Sequence, residues 1–152
     1  MTTIPDRILQ TVALARPCLL SIPPETARIK PAPSEWSKQE ILGHLIDSAM
    51  NNIQRLVRGS YNAARDFPPY RQDDWVAIQG YNERDWHEII EMWVMTNRHL
   101  CAVMERLPEE CLQNLCGIGR DEPVTLDFVI TDYLRHMNMH LNQVLDQGQD
   151  NG

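Results

Sequence analysis

The chain has 152 residues, of which 43% are hydrophobic and 23% charged, with a formal net charge of -7. That length holds one domain with an apolar core and is short for two, and the composition is that of a globule rather than a disordered chain. Nucleic acid is excluded as an expected partner because Arg55, Arg58, Arg65 and Arg71 are scattered and phosphate binding needs clustered Lys and Arg, while no run approaches the ~20 apolar residues of a membrane span.

In chain order, the first helical pattern covers about Pro5 to Arg16, where Ile8, Val12 and Ala15 recur at helical steps. Pro5 suits a first turn, Pro17 is expected to end or kink the helix, and 22–33 reads as extended linker. The second helix opens on Ser37-Lys38-Gln39-Glu40, a capping box in which Ser37 caps and Glu40 reaches back, with Trp36 and Ile41 as a hydrophobic staple. It is expected to run to Arg58 and stop at Gly59. The third is expected to start with Asn82 as cap and Asp85 three residues on. Its apolar face runs through Trp86, Ile89, Ile90, Trp93, Val94, Leu100, Cys101, Met104 and Leu107 until Pro108. The fourth begins near Thr125, carries Leu126, Ile130, Leu134, Met137, Leu141 and Val144, and ends before Gly148. The connections 60–80 and 109–124 read as loops, with no alternating run long enough for a sheet. The expected architecture is all-α, a single four-helix bundle over 1–152 with its core in 5–147 and a tail at 148–152.

The cysteines, Cys18, Cys101, Cys111 and Cys116, form no CxxC pair. In a domain large enough to need no staple they read as reduced, which places the chain in the cytoplasm. The start, Met1 to Arg7, has no basic region leading into an apolar one, so no signal peptide is expected.

Histidine carries the chemistry. His136 and His140 form an HxxxH pair, and residues four apart share a helix face, so two imidazoles there can chelate one ion. At ~100° per residue, His136, His140 and Gln143 lie on one flank of the fourth helix, off the centre of its apolar stripe. His44, with Ser48 and Asn51 nearby, lies at the equivalent margin of the second helix. Such margins line a cleft between packed helices, where a metal site is accessible. Spacing alone equally fits a polar flank. Asp47 and Asp132 sit about one turn from His44 and His136, placed to orient an imidazole or act as general base. The aromatic and acidic connection, with Tyr70, Asp74 and Trp75, reads as a lid over the site or as packing. His87 and His99 read as surface or boundary residues.

Two strings give a resemblance. Trp36-Ser37-Lys38-Gln39-Glu40-Ile41-Leu42-Gly43-His44-Leu45-Ile46-Asp47 is similar to the W-[ST]-x-x-E-x-x-x-H-L-x-D segment of the DinB/YfiT-like metal-binding family. His136-Met137-Asn138-Met139-His140-Leu141-Asn142-Gln143-Val144 is similar to that family's closing H-x-x-x-H-x-x-Q-[IV] helix. Asp74-Trp75-Val76, Gly80-Tyr81-Asn82 and Asn97-Arg98-His99-Leu100 also match one branch. The resemblance implies an up-and-down-like bundle with one long crossover, frequent homodimers, and a three-histidine metal site carried over onto His44, His136 and His140. It further implies S-transfer using a low-molecular-weight thiol cosubstrate, or a related thiol-dependent reaction, on a small-molecule substrate. Many relatives carry a further His where this chain has Met139, a position that points away from the shared flank.

Three imidazoles suit zinc first, and nickel, copper or iron by availability. Such an ion activates a thiol for transfer or a water for hydrolysis. A metal-binding bundle with no catalysis is the reading from another class.

Overall fold

The computed structural model describes residues 1–62, 65–68 and 70–146. Helix α1 spans Ile4–Leu20, and a short helix α2 spans Pro24–Ala27. Helix α3 spans Lys38–Tyr61, α4 Gln72–Gln79, α5 Trp86–Arg106 and α6 Leu126–Val144. Strands β1 (Arg65–Asp66), β2 (Leu115–Gly117) and β3 (Val124–Thr125) make one small sheet in that order, β1 parallel to β2 and β2 antiparallel to β3. Strands this short carry too few side chains to show alternation, so the sequence gives no sign of the sheet.

Helices α1, α3, α5 and α6 form the bundle. Both α1 and α3 pack against α5 and α6, whereas the consecutive pairs α1–α3 and α5–α6 are not principal packing partners. The chain therefore makes two diagonal connections, where an up-and-down reading with one crossover had them side by side. The interior is filled by Ile8, Val12 and Leu19 of α1, Leu42, Leu45, Ile46 and Leu56 of α3, Trp86, Ile89, Ile90 and Trp93 of α5, and Met137 and Val144 of α6, all buried. Polar ties cross it: the Tyr133 hydroxyl of α6 donates to Asn97 Oδ1 of α5 at 2.5 Å, and Trp86 Nε1 of α5 donates to Leu19 O of α1 at 3.2 Å.

Local chemistry explains where the elements begin and end. Thr3 and Asp6 form a capping box for α1, a signal eclipsed in the sequence by Pro5. Pro17 does not end this helix. Lacking an N–H, it removes one hydrogen bond in the last turn, while the fully buried Leu19 anchors that turn and Ser21 N–H donates to Pro17 O. Ser37 and Glu40 form the expected capping box of α3. Helix α3 continues through Gly59, because that glycine serves close approach: a Cβ there would meet Leu126 Cδ2 at 2.7 Å. Asn114 Nδ2 then donates to the Gly59 carbonyl at 2.9 Å, satisfying a group near the helix end.

Two further expectations are corrected. The cap of α5 is Asp85, whose carboxylate accepts from Glu88 N–H at 2.9 Å. Asn82 sits in a 3-10 turn, Tyr81–Glu83, and bridges elsewhere: its Oδ1 accepts from the Ser37 hydroxyl at 2.6 Å and its Nδ2 donates to Arg28 O at 3.1 Å. Within the loop expected at 60–80 lies α4, ended by Gly80 in a left-handed conformation at φ 59°. No helix among the described residues is long and apolar enough to cross a membrane. Of the tail expected at 148–152, all lies outside the described residues, as does Gln147.

Candidate metal centre

Helix α3 contributes His44, which is fully buried, and α6 contributes His136 and His140, both half-buried. Because α3 and α6 are direct neighbours, the margins of their apolar stripes face each other. The structure brings the three residues together: one ring nitrogen from each lies within 4.8 Å of the others. His44 Nε2 and His136 Nε2 are 3.4 Å apart. Two nitrogens bound tetrahedrally at ~2.0–2.1 Å from one ion would stand ~3.3–3.4 Å apart, so this pair already has ligand spacing. The widest separation in the trio, up to 4.8 Å, is longer than that spacing.

The protonation state matches as well. Burial, then the neighbouring His140 and His136, lowers the His44 imidazole from 6.5 to about 3. Burial, then His140, lowers His136 from 6.5 to about 4, with Asp132 pulling the other way. Near pH 7 both are therefore neutral, the form with a lone pair to give.

The far side of two rings is held. His140 Nδ1 lies 3.0 Å from Gln143 Oε1; an amide oxygen only accepts, so this contact favours the tautomer that carries its proton on Nδ1 and leaves Nε2 free. The His44 Nδ1 faces the Tyr70 hydroxyl at 3.5 Å, with the two rings stacked at a centroid distance of 6.1 Å. Trp36, one residue before the α3 cap, lies against His44 at 4.8 Å. These contacts are the kind that fix tautomer and ring orientation in metal sites.

The expected aspartates occupy different positions. Asp47 is fully buried, and its Oδ1 accepts from the Tyr81 hydroxyl at 2.6 Å and from Gln79 Nε2 at 2.8 Å, so it binds α4 and the following turn rather than an imidazole. Burial pushes its carboxyl above the usual range, against the pull of those two donors. Asp132 lies beside His136 on the pocket wall but is paired with Arg135 at 2.7 Å and Arg120 at 3.5 Å. The imidazole partners are thus Tyr70 and Gln143, of which the sequence reading placed Gln143 on the right flank without assigning it a role. Of the 60–80 segment, Tyr70 reaches the cluster, and Trp75 meets Tyr70 edge-on at 5.4 Å. Asp74 is exposed and paired with Arg71 at 2.6 Å. His87 and His99 are exposed, and Met139 is 45% exposed, turned away from the cluster.

A pocket of about 120 Å³ opens beside His44 and His136, lined also by Ser48, Asn51, Asn52, Arg55 and Tyr70. Clustered imidazoles beside a small cavity of mixed polar and apolar lining define a four-helix bundle with a three-histidine site of the kind that suits a divalent metal. The chain belongs to the DinB superfamily, whose family profile matches residues 7–144. It is similar in fold to YfiT from Bacillus subtilis, described as a probable metal-dependent hydrolase with an unusual four-helix bundle topology. That likeness has a TM-score of 0.79 at 16% identity, over 93% of this chain and 84% of YfiT. It is similar also to YjoA, a DinB-like protein from Bacillus subtilis, with a TM-score of 0.64 at 17% identity over 94% of this chain and 90% of that one. No curated protein matches the sequence.

Proposed function

We propose that His44, His136 and His140 hold a divalent metal, zinc by default, and that the protein is a metal-dependent enzyme acting on a small molecule. The observation that carries this is the convergence of three ring nitrogens within 4.8 Å from two different helices. His44, His136 and His140 would hold such an ion, and it would supply Lewis acidity to a thiol or a water. The chain's own residues do the rest. Tyr70 and Gln143 hold ring orientation, Trp36 and Tyr70 wall off His44 from solvent, and the pocket beside the cluster admits a small substrate. Asp132, though ion-paired, is the carboxylate that lines the pocket with His136 and is retained as the candidate proton acceptor. Asp47 acts indirectly, by fixing Tyr81 and Gln79. Trp75 keeps a role as the outer support of Tyr70, and Asp74 only as the ion-pair partner of the adjoining Arg71.

The first reading of the reaction is S-transfer from a low-molecular-weight thiol, which the family resemblance supports. Hydrolysis is the second reading, favoured by the description of YfiT. Metal-loaded protein is assayed with cysteine, glutathione and bacillithiol against an electrophilic chromogen, and separately against a chromogenic ester. Thiol-dependent turnover lost in His140→Ala and kept in His87→Ala is the expected result. Ester cleavage without a thiol moves the assignment to hydrolysis, and no turnover with either leaves a metal-binding bundle without catalysis. The protein is further read as cytoplasmic, supported by four cysteines that are free, and as a homodimer on family grounds. Sedimentation at micromolar concentration is expected to give a dimer; a monomer would remove that part.

A further inference from the structure

Arg55 stands three turns beyond His44 on the same face of α3, in the series His44, Ser48, Asn51, Arg55, with Asn52 alongside. The rise along the helix puts its Cα ~17 Å from that of His44. Helical side chains lean toward the N-terminus, and Arg55 does so: its Nη1 donates to Asn52 Oδ1, one turn back, at 3.5 Å. The guanidinium is thereby carried toward the histidines, and Arg55 and His44 line one pocket of about 120 Å³.

That side chain is half-buried and under-used. A guanidinium has five N–H donors, and the long contact to Asn52 is the only side-chain hydrogen bond Arg55 makes among the described residues. The ion pairs formed by described residues use Arg16, Lys30, Lys38, Arg71, Arg84, Arg120 and Arg135, and none uses Arg55. The one carboxylate on the pocket wall, Asp132, is committed to Arg135 and Arg120. An outer cleft of about 200 Å³ adjoins the pocket through Asn51 and Arg55 and adds Gln54 and Arg58. The approach to the histidines therefore carries the cations Arg55 and Arg58 between the apolar side chains of Ile118, Phe128, Val129 and Phe67, in a chain whose net charge is -7. Withdrawing a guanidinium from water without an acceptor is unfavourable, and a planar carboxylate is the acceptor its geometry fits.

Asn51 and Asn52 donate to the backbone carbonyls of Asp47 and Ser48 at 2.8 and 2.7 Å, which leaves the guanidinium as the free donor here. We infer that Arg55 binds the carboxylate of a small substrate whose other end meets the three histidines. The second half of that statement rests on the metal-centre reading; the carboxylate contact does not. Succinate is the probe, titrated calorimetrically into the purified protein, with neutral succinamide and inorganic phosphate as comparisons and metal content measured on each sample. Succinate is expected to bind wild type, to bind Arg55→Met at least about tenfold more weakly, and to recover part of that loss in Arg55→Lys. Succinamide is expected not to bind, and Arg98→Met, exposed on α5, to match wild type. Equal succinate affinity in wild type and Arg55→Met would overturn the inference, as would absence of succinate binding to folded wild type. Phosphate binding tighter than succinate with the same Arg55 dependence would overturn the choice of carboxylate. A wild type that binds succinate through Arg55 yet never takes up metal would sink the metal reading and leave this contact standing.

Discussion

His44 is an imidazole with one nitrogen toward two other histidines and the other toward a tyrosine, and its surroundings explain both its charge and its use. Tyr70→Phe removes the hydroxyl 3.5 Å from Nδ1 and leaves the packing. Loss of such an orienting partner costs ~10–100-fold in metal affinity, and the long contact puts the expectation near the lower figure; competition against a chromophoric chelator measures it. The depressed imidazoles also give the metal-free protein a pH dependence. Unfolded, His44 and His136 take up protons near the ordinary value of 6.5; folded, they resist until about 3 and about 4. Between those limits the unfolded state binds more protons, so these residues' share of stability is full above 6.5 and is lost as pH falls toward 4. Thermal melts of chelator-treated protein should fall more steeply over that window for wild type than for His44→Leu, in which one of the two groups is gone. Parallel curves would contradict this account of the cluster.

Helix α3 shows how one element positions the site. Gly43, next to His44, is packed so closely by Tyr81 that a Cβ there would stand 2.2 Å from the ring. That same tyrosine donates to Asp47, so the turn carrying His44 is clamped on the flank that bears Gly43 and Asp47. Gly43→Ala is therefore expected to destabilise the fold by ~1–3 kcal/mol or more, because a well-packed core resists an added methyl group; urea denaturation measures the change. What was legible in the sequence follows from the same logic. The capping box at Ser37 and the long apolar stripes of α3, α5 and α6 are local signals spread over many residues, and they locate three bundle helices and the histidine margins. Helix α4 has eight residues and one buried side chain, Val76, too little periodicity to see. The roles of Asp47, Gln79 and Tyr81 depend on contacts 32 and 34 residues apart, which spacing cannot show. Asn82 was misread as a cap for a related reason: its partners, Ser37 and Arg28, lie far away in the chain.

At the scale of the molecule, the two diagonal connections give the bundle its use. They make α3 and α6 neighbours although α4, α5 and the small sheet intervene in sequence, and only that adjacency joins His44 to the HxxxH pair. The histidines were readable as candidates from residue spacing and from the family resemblance, whereas their meeting point required the topology. Metal content tests the central claim most directly, by elemental analysis of the purified protein after reconstitution with zinc. The account predicts close to one zinc per chain in wild type and near none in His44→Ala and His136→Ala, with the His87→Ala control unchanged. Folded wild type that takes up no zinc, nickel, copper or iron, or variants that retain it in full, would contradict it.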